Sequence, residues 1–318
     1  MLLWCHVAAS FCGAATIEEH FASNPVGSGW HIHGDAGLFR WNTAGETLEV
    51  TWDSSKTNSL FHRPLGTILS QTDDFSLEFD LRLNDIAIGV NSNKPSTFEL
   101  AIGLANLADL RKTNFLRGTG INPAVGPRNL VEFDYFPDSG FGATISPTMI
   151  SSNNQFAVGF NFPLALTPGD LFGVKMTYTA SNQTLATVMT QNGQPFGPIK
   201  DVALEPGFSD FRLDAIAVTS YSDEGADGSL LAHGVVDNII VTVPEPPVSS
   251  IAGAFADGLW GVEFRGRTNW VYTLDWTDDF RSWLPVSSFA PEVDGWVLLT
   301  DPLGIAPRAF YRVRASRL

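Results

Sequence analysis

Asn129-Leu130-Val131-Glu132-Phe133-Asp134-Tyr135-Phe136-Pro137-Asp138-Ser139-Gly140 is the stretch whose reading decides the fold. Successive side chains of a strand point to opposite faces. The spacing therefore predicts a strand with Val131 and Phe133 toward a core and Glu132 and Asp134 toward a concave surface or solvent. Pro-Asp-Ser-Gly then turns the chain and supplies a third carboxylate, Asp138. Nowhere else are acidic groups spaced as if for chemistry or metal binding.

The neighbouring sequence repeats this grammar. Phe75 to Leu83 alternates strictly, with apolar residues inward and Glu78, Asp80 and Arg82 outward. Further strands are predicted at Leu48–Trp52, Phe98–Leu104, Thr144–Ile150, Phe156–Phe162, Phe211–Thr219 and Val235–Val243. Leu171–Thr179 and Thr184–Thr190 read as a hairpin around Ala180-Ser181-Asn182-Gln183. Asn192-Gly193 is a tight-turn signal, because both positions tolerate positive φ. Asn106–Arg111 reads as a helical turn or loop, and no amphipathic helix of three turns is found. Short strands separated by turns predict an all-β antiparallel sandwich.

Composition narrows the function classes. With 44% hydrophobic and 12% aromatic residues, the chain has the apolar content for a core and is not of the disordered class. Its formal charge of −15 argues against a nucleic-acid partner, which needs a basic surface, and against anionic membranes. Met1–Ala15 is apolar and ends in small residues, as a signal peptide does, with cleavage before Thr16. Both cysteines, Cys5 and Cys12, fall inside it, so the processed chain would hold no disulfide. No apolar run approaches the roughly 20 residues that span a bilayer.

Four segments follow: a signal peptide at 1–15, a β-sandwich at 16–243, a Pro-rich linker at 244–250 and a small β unit at 251–318. The linker reads Pro244-Glu245-Pro246-Pro247, whose prolines stiffen it and cannot donate to a ladder. The last unit has seven Arg against eight acidic residues and five of the nine Trp, so the acidity belongs to the sandwich. Those Trp are expected to fill a core too small to close otherwise, with a binding platform as the alternative.

Glu132-Phe133-Asp134-Tyr135-Phe136 after Leu130-Val131 resembles the corresponding strand of the concanavalin A-like lectin/glucanase superfamily. Phe75–Leu83, Leu171–Met189 and Val236–Val241 are similar to other strands of that fold. The resemblance covers about residues 21–243 and implies a jelly-roll sandwich whose concave sheet binds glycans. In its laminarinase-like branch a further Glu serves as acid/base. Here Pro137 stands at that place and Asp138 follows in a turn, so the resemblance argues against hydrolysis by this route. In its legume-lectin branch the Glu and first Asp hold a transition metal and calcium. Glu132, Asp134 and Phe136 match, Asp138 stands where the branch has Asn, Gly142 stands at the next place and no His follows.

The resulting expectations are specific. Glu132, Asp134, Tyr135, Phe136 and Asn153 are candidate carbohydrate contacts. Asp134 and Asp138 are candidate calcium ligands, with Asp35 and Asp237 as a second pair pinning the first loop to the closing strand. Outward residues of a half-solvated sheet account for the same acids without any ligand. His31 and His33 have zinc-compatible spacing but no third ligand nearby, and His233 has no evident partner. Tyr272-Thr273-Leu274, Asp278-Asp279-Phe280, Trp283 and Phe310-Tyr311-Arg312-Val313-Arg314 resemble small β modules that end secreted proteins of planctomycete- and verrucomicrobia-like bacteria. The sequence thus predicts a secreted, non-catalytic, lectin-like protein whose partner is a polysaccharide or cell-surface glycan. The alternatives are a glycoside hydrolase or lyase using Glu132, and an adhesin-like envelope protein without a small ligand.

Overall fold

The computed structural model describes residues 14–119, 122, 124–256, 259–302 and 309–318. Met1–Gly13, most of the predicted signal peptide, lies outside them. The chain divides into two units, Met1–Pro244 and Glu245–Leu318. Among the described residues no helix is long and apolar enough to cross a membrane.

The first unit is a sandwich of two antiparallel sheets. One runs, by strand adjacency, Gln194–Phe196, Thr184–Gln191, Phe172–Thr179, Phe75–Ile88, Leu230–Pro244, Thr47–Asp53, Phe39–Asn42; Ala14–Glu19 also pairs with Leu230–Pro244, and Val202–Ala203 with Thr184–Gln191. The other runs Phe156–Val158, Thr144–Ile150, Leu130–Phe136, Leu100–Ala105, Leu213–Ser220, Ser59–Leu69, His31–His33. The sheets meet through aromatic side chains. Phe79 of the first stands edge-on to Phe133 of the second with centroids 5.7 Å apart. Trp30 stacks on Phe61 at 4.7 Å. Such pairs add to the area they bury.

The alternation read from sequence is therefore correct for Val131 and Phe133, which are buried in the shared core. The hairpin Phe172–Thr179/Thr184–Gln191 forms as expected. Asn192 and Gly193 turn with φ of 50° and 78°, the positive values that Asn-Gly tolerates. The helical turn is the four-residue Leu107–Leu110. Ser59–Leu69 was not legible, since His62, Arg63, Pro64 and Gly66 interrupt its alternation. The short edge strand reaches only to His62, so Pro64 lies past its end, where a missing N–H costs no bond to it. His233, for which no partner was expected, holds Asp85 of the neighbouring strand at 2.8 Å.

The second unit has two three-stranded sheets: Ser249–Ala256, Leu259–Gly266, Gly295–Thr300, and Leu284–Phe289, Trp270–Thr277, Phe310–Arg317. Phe264, Tyr272 and Leu274 form its buried centre. The Tyr272 hydroxyl donates to the Pro247 carbonyl at 2.7 Å and accepts from the Arg267 N–H, tying the chain's entry to this core. The expectation that five Trp fill the core needs correction. Trp270 is buried, but Trp283 lies under the Arg312 guanidinium and Trp296 is exposed beside Arg265.

Phe133→Ala should lower the stability of the first unit by about 3–5 kcal/mol, through lost transfer energy plus a cavity against Phe79. Urea unfolding with the midpoint read by circular dichroism checks this.

Candidate functional site

Glu132 and Asp134 do turn away from the inter-sheet core, but they do not reach a groove or solvent. They are 2% and 0% exposed. Strand register puts Asp134 beside Ala101 and Ser146, and Glu132 beside Gly103 and Thr148. Small neighbours leave room on this face, and the described residues of the segment 106–128 bring Arg117 onto it. The segment starts where Leu107 N–H donates to Asp214 Oδ1 and ends where Asn129 Nδ2 donates to Asp109 Oδ2. In between, Phe115 stacks on Tyr221 at 5.9 Å, and the Asn58 amide donates to the Phe115 carbonyl at 2.7 Å.

Beneath this cover the segment delivers one cation, Arg117, to three carboxylates. Its Nη2 donates to Asp134 Oδ2 at 2.6 Å. Its Nε lies 3.5 Å from Glu132 Oε2 and 3.6 Å from Glu99 Oε1. The Tyr221 hydroxyl donates to Glu132 Oε1. All five side chains are buried. Three carboxylates against one guanidinium would leave two net negative charges in a dry place, which costs several kcal/mol per unpaired ion. Protonation removes that cost. Burial pushes the Glu132 carboxyl up to about 8 and the Glu99 carboxyl up to about 7, each against the pull of Arg117. Asp134 is raised by burial too, but it accepts the hydrogen bond from the guanidinium, which favours its charged form. Burial pulls Arg117 down, yet Asp134, Glu99 and Glu132 outweigh this and hold it above its ordinary range.

The other predicted residues are not brought to this place. Tyr135 points into the core, where its hydroxyl accepts from Leu166 N–H at 3.1 Å. Phe136 is half-buried at the far end of the strand, while Asn153 is exposed in the turn after Ile150, which pairs with Leu130 at the other end. Asp138 is exposed and accepts from Gly140 N–H. Asp35 accepts from Gly37 N–H on the His31–His33 side of one sheet; Asp237, in the other sheet, accepts from Asn238 N–H. Among the described residues no group of three His, Cys, Asp or Glu side chains is poised to hold a metal. Of the calcium candidates, Asp134 is held by a buried guanidinium while Asp138 lies in an exposed turn, and Asp35 follows a strand of one sheet while Asp237 lies in the other. Sequence reasoning missed Glu99, Arg117 and Tyr221. Nothing in the local pattern flags them, because they meet only through pairing and the crossing segment.

An open cleft of about 290 Å³ is lined by Arg111 and Thr113 of the same segment together with His33, Asn58, Ser222 and Glu224 among others. It sits at the sheet end marked by Tyr221 and Asp134, since Ser59 pairs with Ser220 and Thr219 with Ala101. Asn58 is a fixed wall: it also accepts from Ser222 N–H at 2.8 Å. Arg111 donates to His62 Nε2 at 3.0 Å. Burial first, then Arg111, lowers His62 to about 4, so this imidazole is a neutral acceptor at pH 7. At the same end of the sheet, Phe141, 73% exposed, stacks on Phe162 at 5.4 Å.

No family model matches the chain, and no curated protein matches it. Similar solved structures include legume lectins. Lectin I from Ulex europaeus, in complex with the methyl glycoside of α-L-fucose, is 11% identical with a TM-score of 0.48, covering 73% of this chain and 98% of that one. Lectin UEA-II, complexed with galactose, is 13% identical with a TM-score of 0.47, covering 72% and 98%. A winged bean acidic lectin complexed with methyl-α-D-galactose is 16% identical with a TM-score of 0.42, covering 73% and 99%. The likeness is one of overall architecture, and the sugars are those of the lectins named.

Two measurements test the cluster. Glu99 and Glu132 bind protons more tightly folded than unfolded, so their contribution is fully present below about pH 4.5 and is lost as pH rises through 7 to 8. Stability of the first unit should therefore fall between about pH 5 and 8, by up to about 1.4 kcal/mol per pH unit for each proton released. Glu132→Gln should flatten that slope in urea titrations at several pH values. Gly103→Ala would place a Cβ 2.6 Å from Glu132 Cγ and against the Val131 carbonyl. It should cost about 1–3 kcal/mol by overpacking, read as a lower melting temperature.

Proposed function

We propose that the first unit is a non-catalytic carbohydrate-binding module whose ligand enters the cleft lined by His33, Arg111, Thr113, Ser222 and Glu224. The observation that carries this reading is the cleft's chemistry. It lies at the end of the sheet, is near the lower size of small-ligand pockets, about 300 Å³, and offers hydroxyl, carboxylate, imidazole and guanidinium groups on fixed walls. Sugar hydroxyls need convergent donors and acceptors of this kind. The exposed Phe141–Phe162 pair supports a second contact on a sugar face.

The burial of Glu132 speaks against the glycosidase or lyase alternative. A nucleophile or general base must reach the reacting bond, and this carboxyl is held by Tyr221 and Arg117 under a cover. We further propose that the protein is secreted, through the segment 1–15, and that residues 251–318 space or attach it. The adhesin-like alternative requires no ligand in the cleft.

A glycan array probed with the full chain should give saturable binding, and Arg111→Ala should weaken it at least about tenfold, the loss of one charge-assisted hydrogen bond. The same glycans should show no reducing-end release. Binding to no saccharide overturns the reading, and release abolished by Glu132→Gln establishes the enzyme instead.

A further inference from the structure

We infer that Arg117 is a built-in cation that pins the cleft-lining segment to the sheet, at the strand where the resemblance to lectins implies a metal. The positioning role for the cleft rests on the ligand-binding reading above. The pin itself rests on geometry alone.

The segment that carries Arg117 also supplies Arg111, Thr113 and Leu116 to the cleft. Its helical turn is four residues long and cannot hold the chain in place by itself. Toward its middle the described anchors are the Phe115–Tyr221 stack, the Asn58 bond to the Phe115 carbonyl, the Arg111 bond to His62, and Arg117. Arg117 is the one that reaches through to the sheet's carboxylates. The guanidinium is planar and presents donors in a fixed fork, so one side chain can address the acids of one strand and Glu99 just before the next. It contacts Asp134 and lies within 3.6 Å of both Glu132 and Glu99.

That arrangement does not fit a metal ion. A dication would have to share the Asp134 carboxylate with a guanidinium nitrogen already 2.6 Å from its Oδ2, and two cations held on one carboxylate repel each other strongly in a dry site. The buried oxygens Glu99 Oε1 and Glu132 Oε2 have no hydrogen-bond partner among the described residues, and both lie within 3.6 Å of Arg117 Nε. Positive charge at the centre comes from the chain itself. Arg117 is a positioning residue: it acts on a ligand through Arg111 and Thr113, which its segment holds against the sheet.

The test uses the full chain and its Arg117→Lys, Arg117→Met and Asp134→Asn variants. The wild-type melting temperature should be the same in EDTA, in calcium chloride and in manganese chloride, and titration calorimetry with either metal should give no saturable heat. Arg117→Met should melt lower by roughly 10 °C, as expected when one partner of a buried pair is removed, with Arg117→Lys in between. Limited trypsin digestion should cut Arg117→Met after Arg111 or Lys112 at least about tenfold faster than wild type, and Arg117→Lys more slowly than Arg117→Met. A chelator that lowers the wild-type melting temperature, or a metal-binding heat lost in Asp134→Asn, overturns the inference, and neither depends on a variant that folds poorly. Equal melting and equal digestion of Arg117→Met and Arg117→Lys overturns it as well. No saccharide is involved, so failure of this inference and failure of the carbohydrate-binding reading are told apart.

Discussion

The contact between Arg117 and Asp134 is the interaction on which the first unit's outer face depends. A sheet face bearing Glu99, Glu132 and Asp134 is stable in one of two ways. It can lie in water, where the charges are solvated, or it can be covered, with the charge balanced. This chain covers it. One guanidinium pairs with Asp134, burial shifts Glu132 and Glu99 toward their neutral forms, and Tyr221 satisfies one of the remaining oxygens. The covering segment also supplies Arg111, Thr113 and Leu116 to the wall of an open cleft.

This explains why residues that look catalytic in sequence are not placed for catalysis. The alternation that sends Glu132 and Asp134 away from Phe133 is real. Small residues opposite them, Gly103 and Ala101, give the long acids room to lie down on the sheet. What changes their role is a segment joining two adjacent strands that passes over them. The chemistry left exposed belongs to loops and to the cover: Arg111, Thr113, Ser222, Glu224 and His33. Loops on a rigid scaffold are where binding residues concentrate, because the sheet holds them without itself having to be exposed.

The second unit follows other rules. It is small and has little interior, so its large aromatics do not all find a core. Trp270, Phe264 and Tyr272 do, whereas Trp296 and Trp283 are paired with arginines at the surface. Asp275, nearly fully buried, is held by Arg312 and Arg314 across the sheet, so charge takes a share of the cohesion here also.

The sequence by itself determined what local physics controls: the strands that alternate cleanly, the hairpin and its Asn-Gly turn, the two-sheet class, and the inward direction of Val131 and Phe133. Period-two burial and positive-φ turns are written in neighbouring residues, so they can be read there. Ser59–Leu69 escaped because a proline, a glycine and charged residues break its pattern, and its strand character comes from the partner beside it. The site was decided by tertiary structure alone. Glu99, Arg117, Glu132, Asp134 and Tyr221 are spread over more than 120 positions and carry no shared motif. Whether two outward carboxylates meet water, a metal or an arginine is settled by which loop crosses them. A carboxylate's neighbours across space, not along the chain, set its charge.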